Sequence, residues 1–281
     1  MGPSAMRVAG INREIADLGY DVLDAGNVEV RPPEAMEKGD PKARYLEEIA
    51  EVSAELAKVV EKVLRIGARP VVIGGDNAIT AGSVSGLAAH YRAKGRSIGL
   101  IWFDAHTDIN TPETTPSGNV HGMPLAALLG EGPRSLTHIS GFSPKLLPQN
   151  VAIVGARSID PGEKDRIKRL GVRVFTMSEL DERGMAKCVK EAIAIATRGT
   201  AGLYCMIDAD FLDPGEAPGV GTPVRGGVTY REAHLAMEKI AESGKVLGVE
   251  VTEVNPLLDR GNHTAHLAVE LICSALGKRI L

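Results

Sequence analysis

Apolar residues divide the chain into short segments whose periods alternate. Between Pro41 and Ile66, Leu46, Ile49, Val52, Leu56, Val59, Val63 and Ile66 recur at three- and four-residue steps. That is the spacing of one helix face, and Gly67 supplies a stop. Pro70–Ile73, by contrast, is a continuous apolar run closed by Gly74-Gly75-Asp76-Asn77, as expected of a strand buried on both faces. The two patterns then take turns. Ser97–Phe103, Val151–Val154, Val172–Phe175, Leu203–Ile207 and Val246–Val251 read as strands, and Tyr20–Leu23 as a short one. Ile79–Lys94, Pro161–Leu170, Glu182–Thr197, Tyr230–Ser243 and Thr264–Leu276 read as helices, with a further helix over Ala5–Leu18. Residues 27–41, with Pro32, Pro33 and Gly39, and residues 109–124, rich in Thr, Pro, Gly and Asn, read as loops. Continuous apolar strands alternating with helices predict an α/β protein, a three-layer α/β/α sandwich around a mostly parallel sheet. No repeat or linker interrupts the 281 residues, so a single domain over 1–281 is expected.

Composition narrows the function more than the fold. A net charge of −4 without a basic patch argues against nucleic acid. No segment approaches the roughly 18 apolar residues of a membrane span, and the N-terminus lacks the apolar core of a signal peptide. Cys188, Cys205 and Cys273 are unclustered and read as reduced thiols of a cytoplasmic protein.

In folds of this class ligands gather beyond the carboxyl ends of the strands, and the polar clusters follow Ile73, Phe103, Val154, Ile207 and Val251. After Ile101-Trp102-Phe103 comes Asp104-Ala105-His106-Thr107-Asp108. If the extended backbone persists, Asp104, His106 and Asp108 project from one face. A second strand ends in Asp208-Ala209-Asp210. A solvated turn is the alternative for either cluster alone. Two strands that both end in same-face acids point instead to divalent metal, in the manner of a hydrolase whose ions make hydroxide near neutral pH.

Six motifs in this order carry a resemblance over nearly the whole chain. They are Gly74-Gly75-Asp76, Asp104–Asp108, Ser117-Gly-Asn-Val-His121-Gly, Asp208-Ala-Asp210-x-x-Asp213-Pro214, Gly221-Thr-Pro-Val-x-Gly-Gly227 and Glu253-Val-Asn-Pro256. The chain resembles the arginase, or ureohydrolase, family, and within it the bacterial arginases. The resemblance implies hydrolysis of L-arginine to L-ornithine and urea at two Mn2+ ions, with a bridging hydroxide attacking the guanidinium carbon. By the same resemblance Asp104 and Asp208 bridge the ions, His106 and Asp210 complete one, and Asp108 the other. His121 is then the proton shuttle, Glu253 holds the guanidinium, and Thr222 supports it. Asn110, Thr115, Ser117 and Asn119 match positions that hold the α-carboxylate, and Asp160 and Glu163 those near the α-amino group. Relatives form homotrimers or homohexamers.

Three departures accompany the resemblance. Asn77 stands where the family usually has a histidine ligand, and its amide oxygen is the weaker donor, so one ion is expected to bind loosely. Met206 and Phe211 replace the smaller Ser and Gly that usually flank Asp208 and Asp210, and could displace those carboxylates. The family's first strand, beside the Tyr20–Leu23 segment, has no counterpart. Two other readings stay open: a ureohydrolase acting on a formimino-amino acid or another guanidine, and a catalytically weak homologue serving as a subunit or binding protein.

Overall fold

The computed structural model describes residues 1–32 and 35–279. Six strands, β1 (Val71–Ile73), β2 (Gly99–Phe103), β3 (Val151–Ala156), β4 (Arg173–Thr176), β5 (Leu203–Asp208) and β6 (Val246–Thr252), form one sheet in the order β1-β6-β5-β2-β3-β4. Every neighbouring pair is parallel. Side chains alternate between the faces, so each apolar run feeds two cores. Ile101, Phe103, Val154, Cys205 and Ile207 enter one, under the helices Met185–Thr197, Tyr230–Glu242 and His263–Ala275. Leu100, Trp102, Ile153, Tyr204 and Met206 enter the other, under Leu46–Arg65, Thr80–Arg92 and Pro124–Leu128. Burial on both faces is why the central strands read as unbroken apolar runs.

Glu250 of β6 is the exception inside the second layer. It is fully buried and accepts hydrogen bonds from Tyr204 Oη at 2.7 Å and from the hydroxyls of Thr80 and Ser83. A buried acid is tolerated when its oxygens are satisfied, and here the donors come from β5 and from the helix that follows β1.

Four expectations change. Tyr20–Leu23 is not a strand: it is irregular, with Leu23 75% exposed, and Arg7 clamps the neighbouring Asp24 at 2.7 and 2.8 Å. Four residues with no paired neighbour cannot satisfy a strand's backbone groups. The helix over Ala5–Leu18 is two helices, Gly2–Val8 and Ile11–Ala16, divided at Gly10 (φ 88°). The stretch Glu182–Thr197 likewise belongs to two helices, Met177–Arg183 and Met185–Thr197, with Gly184 (φ 79°) between them. Finally, the Leu46–Arg65 helix buries Ser53, Ala57, Val60 and Leu64, and leaves Val52, Leu56, Val59 and Val63, one position before them, only partly buried. A Cβ at Gly82 would lie 2.8 Å from Ser53 Cα, and one at Gly86 3.0 Å from Ala57 Cα. The two helices therefore meet along small residues, which hydrophobic periodicity does not register. Of the loop 27–41, residues 33 and 34, Pro33 among them, lie outside the described residues; the described remainder holds no strand or α-helix.

Candidate active site

The strand order sets the carboxyl ends of β1, β6, β5 and β2 side by side. The segments leaving them carry Asn77, Glu253, Asp208 with Asp210, and Asp104 with His106 and Asp108. The extended geometry assumed for Asp104–Asp108 does not persist: β2 ends at Phe103, and Asp108 is left-handed (φ 49°). Glu253, beyond β6, is left-handed too (φ 62°). Non-glycine residues in this region cost about 1–3 kcal/mol and cluster at functional sites. Here they turn two acids back toward the sheet end.

Asp104, His106 and Asp210 offer ligand atoms that all lie within 4.8 Å of one another. His106 Nδ1 is 3.1 Å from Asp210 Oδ2 and 3.4 Å from Asp104 Oδ1. Asp104 is fully buried and Asp210 nearly so. Burial and the Asp210 charge raise the Asp104 pKa. Burial opposes the Asp210 carboxylate as well, but the His106 imidazole more than offsets it and lowers that pKa. Burial also opposes the His106 imidazolium, yet hydrogen bonds to both acids lift it to about 11. The trio calls for positive charge, and two carboxylates with an imidazole are a donor set that fits a divalent transition ion. Backbone N–H groups hold the acids in place: His106 donates to Asp104 at 2.6 Å, Ala105 to Asp210 at 3.2 Å, and Asp210 to Asp208 at 2.7 Å. Trp102 Nε1 donates to Asp104 Oδ2 at 2.8 Å, and Thr222 Oγ1 to Asp210 Oδ2 at 3.1 Å.

Asn77 lies beside this trio and is buried. Its amide nitrogen faces the acids, 2.6 Å from Asp208, 2.8 Å from Asp108 and 3.1 Å from Asp104. Its amide oxygen accepts from Thr252, and its backbone N–H donates to Glu253 Oε1 at 3.1 Å. The same carboxyl oxygen is 3.2 Å from His121 Nδ1, a hydrogen bond that raises the His121 pKa to about 9.

A cavity of about 130 Å³ opens over these groups, with His106, Asp108 and Asp208 on its floor. Asn110, Thr115, Ser117, Asp160 and Glu163 wall it, and His121 and Thr222 also face it. Asn110 Nδ2 donates to Asp160 at 2.9 Å. Glu163 accepts from the backbone N–H groups of Ile109 and Asp160 at 3.0 and 2.9 Å, so it anchors the long loop to the helix Pro161–Leu170. Asn119 turns away, its side-chain oxygen accepting from Arg44 at 3.3 Å. Ser158, which the sequence did not single out, lines the cavity; its place two residues beyond β3 was the available signal. The Phe211 ring enters the core, 5.2 Å from Phe103 and edge-on, in space left free at Gly155. Met206 is likewise core. Asp213 accepts from the N–H groups of Gly215, Gly226 and Gly227 and is a turn residue.

The arginase family model matches residues 1–277. The chain belongs to the arginase family. It is 47% identical to an arginase of Bacillus caldovelox over 282 residues, spanning all of this chain and 93% of that protein, whose solved structure superposes with a TM-score of 0.95. An arginase of Brevibacillus brevis is 45% identical over 281 residues, again covering all of this chain and 93% of its own length. The crystal structure of Bacillus subtilis arginase, 44% identical, covers 100% of this chain and 93% of its own with a TM-score of 0.92. Family and structure together place a divalent-metal hydrolase of guanidino C–N bonds on the three-layer fold. Among the described residues, no helix is long and apolar enough to cross a membrane.

Proposed function

We propose that this chain hydrolyses L-arginine to L-ornithine and urea, with manganese as its metal. The observation that carries the reading is the trio Asp104, His106 and Asp210 under a cavity walled by hydrogen-bonding side chains, in a chain of the arginase family. An ion held by these three supplies Lewis acidity and brings the pKa of water toward neutrality. The protein's own groups do the rest. Asp108 and Glu253 offer carboxyl oxygens to a guanidinium, and Thr222, bonded to Asp210, faces the same cavity. Thr115 and Ser117 offer hydroxyl donors to an α-carboxylate at the mouth, and Asp160 an acceptor to an α-ammonium. Glu253 holds His121 by Nδ1, which leaves Nε2 to deliver a proton to the departing amine. Asn110 and Glu163 act by fixing the loop and Asp160, and Asn119 by fixing the loop to Arg44. The same reading implies a single ureohydrolase domain, cytoplasmic, in a homotrimer or homohexamer. The family's complement is two ions, and how many this chain holds turns on Asn77. The test is urea release from arginine by purified protein incubated with manganese, beside agmatine and formiminoglutamate. Turnover of formiminoglutamate alone would replace the substrate; no turnover of any would favour the binding-protein reading.

A further inference from the structure

We infer that this chain holds one divalent ion, not two, and that the amide of Asn77 takes the place of the second as an uncharged hydrogen-bond donor. The inference rests on the reading that Asp104, His106 and Asp210 hold an ion. A cation in the neighbouring position would need lone pairs from Asp108, Asp208 and residue 77. Asn77 presents hydrogens there instead. Its two amide N–H groups serve three carboxylates, at 2.6, 2.8 and 3.1 Å, which uses its full donor capacity.

The residue is held on several sides. The amide oxygen accepts from the Thr252 hydroxyl. The backbone N–H donates to Glu253. Asn77 is only 2% exposed and borders the cavity. Turning the amide to offer its oxygen would give up all three bonds to the acids and set an oxygen against those carboxylates, while the Thr252 hydroxyl, which can accept as well as donate, would stay paired. The donor set therefore fits an ion at the trio and does not fit one beside Asn77. On that account Asp108 and Asp208 are held as hydrogen-bond acceptors of the protein, and the chain's metal chemistry is that of a single centre.

The test is a count. Protein stripped with a chelator and reloaded with manganese is assayed for bound metal by elemental analysis and for spin coupling by electron paramagnetic resonance. The unmodified chain should hold one manganese with the spectrum of an isolated ion, and Asn77→His should hold two with an exchange-coupled spectrum. Two ions and a coupled spectrum in the unmodified chain would overturn the inference. Asn77→Ala provides a second readout, on metal-free protein: loss of the donors to three buried acids should lower the melting temperature by roughly 4 °C or more. An unchanged melting temperature would mean that the amide does not serve those acids, and would equally overturn it. Urea release is scored separately. One ion without urea release would support the count while removing the arginase reaction; two ions with urea release would do the reverse.

Discussion

Gly155 and Phe211 offer the most direct measurement of how this chain accommodates a bulky residue next to Asp210. Gly155 sits at an irregularity in the β3–β4 pairing, with φ 101°. A Cβ built there would lie 2.5 Å from Phe211 Cε2, too near for any relaxation confined to one atom. Gly155→Ala therefore carries two costs. Holding alanine at that φ costs about 1–3 kcal/mol, and forcing the ring aside about 1–3 kcal/mol more. A total of roughly 2–6 kcal/mol is a large part of the ~5–15 kcal/mol that stabilises a typical domain. Phe211→Ala empties the same space, at its own cost of roughly 3–5 kcal/mol. In that background Gly155→Ala should cost only the backbone term. Urea denaturation of the four proteins closes the cycle, with an expected coupling of about 1–3 kcal/mol. Gly155→Ala costs that agree within ~0.5 kcal/mol in the two backgrounds would show that the ring does not depend on the glycine. The displaced ring also bears on the site, since Asp210 is its chain neighbour.

Three further outcomes are expected. Ser117→Ala should raise KM for arginine by about tenfold, the lower end expected for losing a hydrogen bond to a charged group of about 1.5–3 kcal/mol, because Ser117 lines the cavity at its exposed mouth. Asn119→Ala, whose side chain is engaged with Arg44, should raise it less; steady-state kinetics with equal effects would contradict this division. Lys145 is buried and donates to the Thr137 carbonyl at 2.8 Å and to that of Phe142; burial, with the Arg92 charge, pushes its pKa from 10.5 down to about 8. Between those values the unfolded chain holds a proton that the folded chain lacks, so unfolding takes up a proton and rising pH opposes it. The unmodified chain should gain stability relative to Lys145→Met as pH rises from about 8 to 10.5, and parallel stability profiles would refute the buried-ammonium account.

The strands and the layer order were readable in the sequence because burial on both faces writes itself as continuous apolar runs. Asp104, His106 and Asp210 were all readable as acids and an imidazole at the ends of two strands, and the family resemblance had already set His106 with Asp210. Asp108 reaches the site through a left-handed turn that period-two reasoning cannot foresee. Asn77 was identified as a departure, yet which end of its amide meets the acids is set by carboxyl groups 27, 31 and 131 residues away. Trp102 gave no signal as a partner of Asp104, since an indole in an apolar run reads as core and its N–H does not. The small-residue seam between Ser53, Ala57, Gly82 and Gly86 was invisible for the opposite reason: close approach selects the absence of side chains, and hydrophobic scales weight their presence.

The buried quartet of Glu250, Thr80, Ser83 and Tyr204 has a consequence for how such a chain can diverge. A single apolar replacement at any of the four strands its partners' polar atoms away from water, at about 1–3 kcal/mol for each group left unsatisfied. Replacement of all four by apolar residues of matched shape is close to neutral. The routes between these endpoints pass through poorly folded intermediates. Descendants should therefore keep the quartet whole or exchange it whole, and a lineage that has lost Glu250 should have lost the three hydroxyls with it.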